Sequence, residues 1–335
     1  MSNSSIERAL LDQVSRKMLA SVWEENDRMM WNLSMCWLYA ITKYHYVPSL
    51  EEILPAIDDA KRLGFRYMEL EGVGPQLYTV AENRARIKRR CESNGVKLVD
   101  FVPVLPDTMS TDVKKRRKAI KDFKLGCELG AYFETGMVQA DTFHLPVHVE
   151  TPYDTSKEFA FSYKPPSVSV DPEFDFWQFF EEILVPSISE CNDMAEHHGL
   201  KLCIEPRTWE NISSTWALEL LLREIGSKNL GAVLDVAHLA AQKMSPVQCA
   251  EMLGKRIFYV HASDSDFLTE DHLEVGTGSV DWEVLFRALH KHDYGGFIGI
   301  DIGGRKELKP RLDVMYTNSK NHLENLMKKM NRSRF

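Results

Sequence analysis

With 335 residues, 44% hydrophobic and 27% charged, the chain has the composition of a folded globular protein and the length to bury one large core. A net charge of −8 excludes a dedicated nucleic-acid binder, which needs a basic face. Six cysteines (Cys36, Cys91, Cys127, Cys191, Cys203 and Cys249) lie without CxxC spacing and read as reduced core residues. The N-terminus lacks an apolar leader core and no stretch has the apolar length of a membrane span, so a soluble cytoplasmic protein is expected.

Residues 6–29 carry Ile6, Leu10, Val14, Met18 and Val22 at helical spacing, which predicts an amphipathic helix ahead of the first strand. Residues 31–40 are the first expected strand. A pattern then repeats seven times: a charged helix ends, commonly at a glycine, and an apolar run follows. The runs lie at 63–72, 94–105, 129–138, 198–206, 229–238, 255–264 and 295–304. Glycine past a helix end supplies the left-handed cap that turns the chain into a strand. Strands alternating with helices imply parallel strands and right-handed crossovers. The expected fold class is α/β, a single-domain (β/α)8 TIM barrel, with an N-terminal helical extension over 1–30 and the barrel over 31–335. An open doubly wound sheet is the alternative; no GxGxxG follows the first strand to support it.

Between Asp141 and Phe174 runs a long segment rich in Pro, Ser and aromatic residues, read as a loop or small hairpin over the barrel mouth after strand four. Helix resumes near Phe176. The tail, with Leu323, Leu326 and Met330 on one face, reads as a closing helix.

Four of the apolar runs end in side chains that bind cations: Glu205, Asp235, His261 and Asp301. A charge at the end of a strand buried on both faces must emerge at a rim and find a partner, because desolvating it alone costs several kcal/mol or more. In the expected barrel these four stand side by side at the ends of strands five to eight, where the fold builds its sites. Three oxygens and one imidazole suit one divalent ion, Mn²⁺ first, with Mg²⁺ or Co²⁺ also compatible. Taken singly, each carboxylate fits the role of a helix cap or an arginine partner.

Further candidates surround this set. His144 and His148, in the long loop, are read as the general base or acid, His144 first. Arg207 orients a substrate oxygen or holds Glu205. Glu69 and Glu71 end strand two, with one expected in the mouth and one outside. Trp37, Tyr39, Tyr153 and Trp209 are expected near the mouth, as stacking faces or as core.

The motifs CIEPR, LDxAH and VHxSD followed by HLExGTGxxDW resemble the xylose isomerase-like barrels of the sugar isomerase/epimerase superfamily, from about Trp31 onward. The resemblance implies that Glu205, Asp235, His261 and Asp301 bind one divalent ion, usually manganese. It also implies that Glu205 works as a base, that His238 and Asp264 contact the sugar, and that His272 contacts substrate or supports the ligands. Two departures stand out. The last ligand, a Glu in keto-sugar epimerases, is here the shorter Asp301. Ser265 and Asp266 replace an Arg that usually follows VHxSD. Both departures, with the aromatic loop, favour a lyase: proton abstraction beside a sugar carbonyl, then β-elimination. Within the superfamily this resembles inosose dehydratase and, most specifically, the catalytic (alpha) subunit of C-glycoside deglycosidases, which cleave 3-oxo-glucosides with a small partner subunit. The alternative is a ketose-type isomerase or epimerase. The expected partners are a sugar or glycoside substrate and a small subunit or second copy of the chain, with no nucleic acid and no membrane.

Overall fold

The computed structural model describes residues 30–143, 148–149, 168–169 and 172–332. The helix expected over 6–29, together with His144 and Tyr153, lies outside the described residues.

Eight strands form the centre: β1 (Asn32–Met35), β2 (Tyr67–Val73), β3 (Lys97–Val104), β4 (Met137–Ala140), β5 (Lys201–Ile204), β6 (Leu230–Asp235), β7 (Ile257–Ala262) and β8 (Phe297–Ile300). They pair in parallel in the order β1-β8-β7-β6-β5-β4-β3-β2, and β2 returns to β1, so the sheet is a closed barrel. Helices follow the strands: α1 (Leu38–Lys43), α2 (Leu50–Arg62), α3 (Gln76–Asn94), α4 (Val113–Phe133), α5 (Phe176–Phe179), α6 (Val185–His197), α7 (Thr215–Ile225), α8 (Val236–Ala241), α9 (Pro246–Leu253), α10 (Trp282–Lys291) and α11 (Leu312–Arg332). The chain is a single-domain TIM barrel. Among the described residues no helix is long and apolar enough to cross a membrane.

The expected first strand is shorter than its apolar run. The ladder stops after Cys36 N donates to Ile300 O at 3.1 Å. Trp37 N donates instead to Glu69 Oε2 at 2.9 Å, so the chain leaves the sheet and winds into α1. The long segment after β4 contains an antiparallel pair, His148–Val149 with Val168–Ser169. Between α5 and α6 one wide π turn spans Phe180–Leu184. Pro186 accounts for it, because its ring clashes with the carbonyl four residues back and offers no N–H to it.

Period two along the strands decides what lines the interior. Cys36, Val99, Met137, Cys203, Val233 and Tyr259 fill it as one apolar layer. Two residues further along their strands stand Gln139, Glu205, Asp235 and His261, on the same face one step nearer the C-terminal end. Gly299 and Asp301 repeat the relation on β8. The barrel floor is therefore apolar and the next layer is ionisable. That layering follows from the sequence itself, in MVQ, LCIE, AVLD, FYVH and IGID.

Candidate metal centre

Glu205, Asp235 and His261 offer ligand atoms that all lie within 4.8 Å of one another, and none of the three residues exceeds 4% exposure. His261 Nδ1 stands 2.8 Å from Glu205 Oε1 and 3.6 Å from Asp235 Oδ2. Asp235 Oδ2 and both ring nitrogens of His261 make no hydrogen bond among the described residues. Buried polar atoms are nearly always bonded, so close donors that miss hydrogen-bond geometry fit a cation as their common partner. Two oxygens and an imidazole suit a hard or borderline divalent ion.

The two carboxylates are each fixed by a neighbour. Asp235 closes β6 and caps α8, its Oδ1 accepting His238 N at 2.7 Å, which leaves Oδ2 for the cluster. Glu205 Oε2 accepts Gln139 Nε2 at 3.1 Å and Arg207 Nε. Arg207 Nη1 also lies 3.4 Å from Asp141 Oδ2. Burial alone would raise the Glu205 carboxyl, but Arg207 and then His261 hold it well below the usual carboxylate range. Arg207 therefore holds Glu205.

Asp301 lies outside the group whose ligand atoms are all within 4.8 Å of one another. Its Oδ2 lies 2.9 Å from His272 Nδ1, which also meets the Asp301 carbonyl at 2.9 Å. A side chain one methylene shorter than Glu reaches less far from the strand. Burial lowers the His272 imidazole, yet Asp235 and Asp301 outweigh it and bring it up to about 9. His238 packs edge-on against His272 with ring centroids 5.0 Å apart, and its Nδ1 is 3.4 Å from Thr208 Oγ1. Burial pushes His238 down to about 4. Asp235, His238 and His272 form a second group with ligand atoms within 4.8 Å, sharing Asp235 with the first.

The Asp264 carboxylate is engaged by its own surroundings. Oδ1 accepts Ser265 N at 2.9 Å and Val280 N at 3.1 Å; Oδ2 accepts Gly276 N at 2.8 Å and Trp282 Nε1 at 3.3 Å. Three backbone amides of its own loop and the Trp282 indole at the start of α10 occupy both oxygens. Gly278 is required there because a Cβ would stand 2.3 Å from Asp264 Oδ1. The most distinctive run of the sequence is thus a loop wrapped around one carboxylate.

Glu69 and Glu71 both face inward, against the expected split, because residues two apart on a strand share a face. Glu69 Oε1 lies 3.0 Å from His261 Nε2. Burial pushes Glu71 up to about 8, against the opposing pull of Arg207. Trp37 and Tyr39 are core residues, at 1% and 0% exposure, and Trp209 is exposed. His148 lies on the short antiparallel pair.

The strand-end rule extends to residues not singled out from the sequence. Gln139 and Asp141 end β4 as Glu205 ends β5. Glu210 carries no sequence signal either: its Oε2 accepts Thr142 N at 2.9 Å, Thr142 Oγ1 at 3.0 Å and Phe143 N at 3.0 Å. These bonds tie the segment after β5 to the one after β4. No periodicity marks such a loop-to-loop contact.

Comparison with known proteins agrees with this frame. A family model described as Xylose isomerase-like TIM barrel matches residues 57–326. The uncharacterized protein MJ1311 of Methanocaldococcus jannaschii is 30% identical over 156 residues, 43% of this chain, and the match spans about half of that relative (53%). Fructoselysine 3-epimerase of Escherichia coli O157:H7 is 22% identical over 267 residues, 77% of this chain and 88% of that protein. Among solved structures, 3-keto-D-glucoside 4-epimerase from E. coli superposes with a TM-score of 0.67 at 15% identity, covering 88% of this chain and 99% of that one. The IOLI protein, solved with a bound zinc atom, gives 0.65 at 16%, covering 89% and 98%. With the family model spanning most of a closed eight-stranded barrel whose ionisable layer sits at the strand ends, the chain belongs to the xylose isomerase-like TIM barrel family.

Proposed function

We propose that this chain is a divalent-metal-dependent enzyme of oxo-sugars whose reaction begins with removal of a proton next to the carbonyl. The observation that carries the reading is the convergence of Glu205, Asp235 and His261 in one buried group at the C-terminal strand ends. These three would hold the ion, Mn²⁺ first, with Asp301 as the fourth candidate. A divalent ion bound there supplies a Lewis acid that polarises a carbonyl oxygen and stabilises the charge of an enolate.

The chain's own groups supply the rest. Arg207 and Gln139 fix Glu205, and His238 and His272 line the adjoining wall where sugar hydroxyls would bind. Glu210 anchors Thr142 and Phe143, the residues directly before His144. That anchoring supports His144 as general base, with His148 as the second choice. On a 3-oxo-glucoside the base takes the proton from C2, and the bond from C1 to the aglycone is then β to the carbanion. The electron pair leaves with the aglycone, which gains a proton. The finer reading is therefore a lyase, most specifically a C-glycoside deglycosidase working with a small partner subunit.

A second reading, a ketose epimerase, is favoured by the match along 88% of a fructoselysine 3-epimerase. Purified protein loaded with Mn²⁺ in D₂O, offered a 3-oxo-C-glucoside and a ketose in parallel and followed by NMR, separates the two. The lyase releases aglycone. Deuterium exchange and epimer formation on the ketose, with no aglycone released, establishes the epimerase instead.

A further inference from the structure

His261 has a second face. While Nδ1 points to Glu205 and Asp235, Nε2 points to Glu69, and behind it lies Cys36 at the end of β1. Cys36 Sγ, a carboxylate oxygen of Glu69 and a ring nitrogen of His261 all lie within 4.8 Å of one another. The three residues are 1%, 3% and 4% exposed. Glu69 is held from behind, since Oε2 accepts Trp37 N at 2.9 Å, while Oε1 makes no hydrogen bond among the described residues. Oε1 comes within 3.0 Å of Nε2 yet misses the direction a ring N–H requires. Two donors that each stand about 2.1 Å from one tetrahedral cation are themselves about 3.4 Å apart, so the 3.0 Å pair is a small side-chain adjustment away from sharing an ion. Room is kept on the β8 side by Gly299, where a Cβ would stand 2.4 Å from Cys36 Sγ and 2.5 Å from Tyr259 Oη. The Tyr259 hydroxyl hydrogen-bonds Ser34 Oγ at 2.8 Å and makes a long hydrogen bond with Cys36 Sγ at 3.8 Å, which an incoming ion would replace.

We propose that Cys36, Glu69 and His261 form a site for thiophilic divalent cations, and that this site competes with Glu205 and Asp235 for His261. A thiolate, an imidazole and a carboxylate select Zn²⁺ or Co²⁺ over Mn²⁺ or Mg²⁺, which prefer oxygen donors. Three protein donors leave one tetrahedral position for water. A neutral imidazole carries one free lone pair, so His261 serves one ion at a time. An ion on Nδ1 leaves the proton on Nε2, on the Glu69 side of the ring. An ion on Nε2 leaves the Nδ1 proton facing Glu205 and withdraws His261 from the mouth. As the soft ion enters, Cys36 exchanges its S–H bond for an S–metal bond; the proton goes to solvent and no electron is transferred. The two faces of one ring thus sort hard from soft ions, and a soft ion locks the mouth site open.

Cys36 and its partners bind soft ions whichever sugar reaction the mouth performs. The test titrates metal-free full-length protein with Co²⁺ and reads the near-ultraviolet thiolate-to-cobalt charge-transfer band. The expected result is a saturable band that disappears in Cys36→Ser and Cys36→Ala and persists in Cys203→Ser, the other interior thiol. Mn²⁺ at about ten times its own Kd should move the cobalt midpoint up roughly tenfold. The proposal is overturned if cobalt binds without the band, if the band survives loss of Cys36, or if both ions bind together with the midpoint unmoved. Should either Cys36 variant fail to fold, wild-type titration with Mn²⁺ competition still decides. A chain that shows the Cys36 band but takes up no Mn²⁺ sinks the mouth reading and the competition while leaving the thiol site standing.

Discussion

Asp235 carries two duties on two oxygens: Oδ1 starts α8 and Oδ2 faces His261. Asn keeps an oxygen for the cap but removes the charge. Asp235→Asn is therefore expected to fold like the parent and to bind Mn²⁺ at least ~10-fold more weakly, read by metal analysis beside circular dichroism. Unchanged metal content in the variant removes Asp235 from the set. Glu71 makes a different point, about stability. Folded Glu71 keeps its proton up to about pH 8, chiefly because of burial, whereas an unfolded glutamate releases it near 4.5. Between those values the folded state binds more protons than the unfolded one, so stability falls as pH rises and levels off above about 8. Glu71→Gln lacks that loss. Relative to wild type it should nearly match at pH 5 and melt higher at pH 8, by the several degrees that ~4 kcal/mol represents; a difference that stays flat with pH refutes the assignment.

Elements show where the sequence speaks and where it falls silent. The eight strand runs were legible because short apolar stretches that end at charged residues and alternate with amphipathic helices fit little besides buried parallel strands. The first run misled over residues 36–40, since an apolar stretch looks alike in a buried strand and a buried helix. What ended β1 was Glu69 accepting Trp37 N, a contact between strands that periodicity cannot register. The same blindness hid Glu69 as the neighbour of His261, because β2 and β7 meet only across the barrel interior. The four metal-ligand candidates were legible as strand ends, yet the pairing of Asp301 with His272 depends on side-chain reach and was not. Helix α4 offers a test of packing against propensity. Gly126 lies mid-helix, where alanine is favoured by roughly 1 kcal/mol, but a Cβ there would meet Pro103 of β3 at 2.7 Å. Pro103 is a rigid ring in a strand, so overpacking at a cost of ~1–3 kcal/mol should win. Gly126→Ala is expected to lower the midpoint of urea unfolding, and a raised midpoint would show that the strand yields.

At the level of the whole molecule, the barrel gathers Glu69, Glu71, Asp100, Asp141, Glu205, Asp235 and Asp301 on its inner face, with Arg207 as the one guanidinium described among them. Burial pushes the Asp100 carboxyl well up, and neither of its oxygens has a hydrogen bond among the described residues. Such an interior resists folding unless positive charge accompanies it. On the proposed reading, Mn²⁺ at about a hundred times its Kd should stabilise the native state by ~2.7 kcal/mol, and chelation should reverse the gain in a thermal melt. A melting temperature indifferent to both would count against a native-state ion. The ring itself has a seam. β1 and β8 zip together from Asn32–Phe297 to Met35–Ile300, Trp31 Nε1 reaches Tyr294 O at 2.8 Å, and Asp313 of α11 clasps Lys43 and Arg62. A growing polypeptide meets that arrangement at a disadvantage. Seven staves leave the ribosome before the eighth exists, and until it arrives the first and seventh each present a bare edge to solvent or to a neighbouring nascent chain. Newly made copies should therefore lean on chaperones until translation has passed β8 and α11, and premature stop codons upstream of Phe297 should yield insoluble fragments, not smaller barrels.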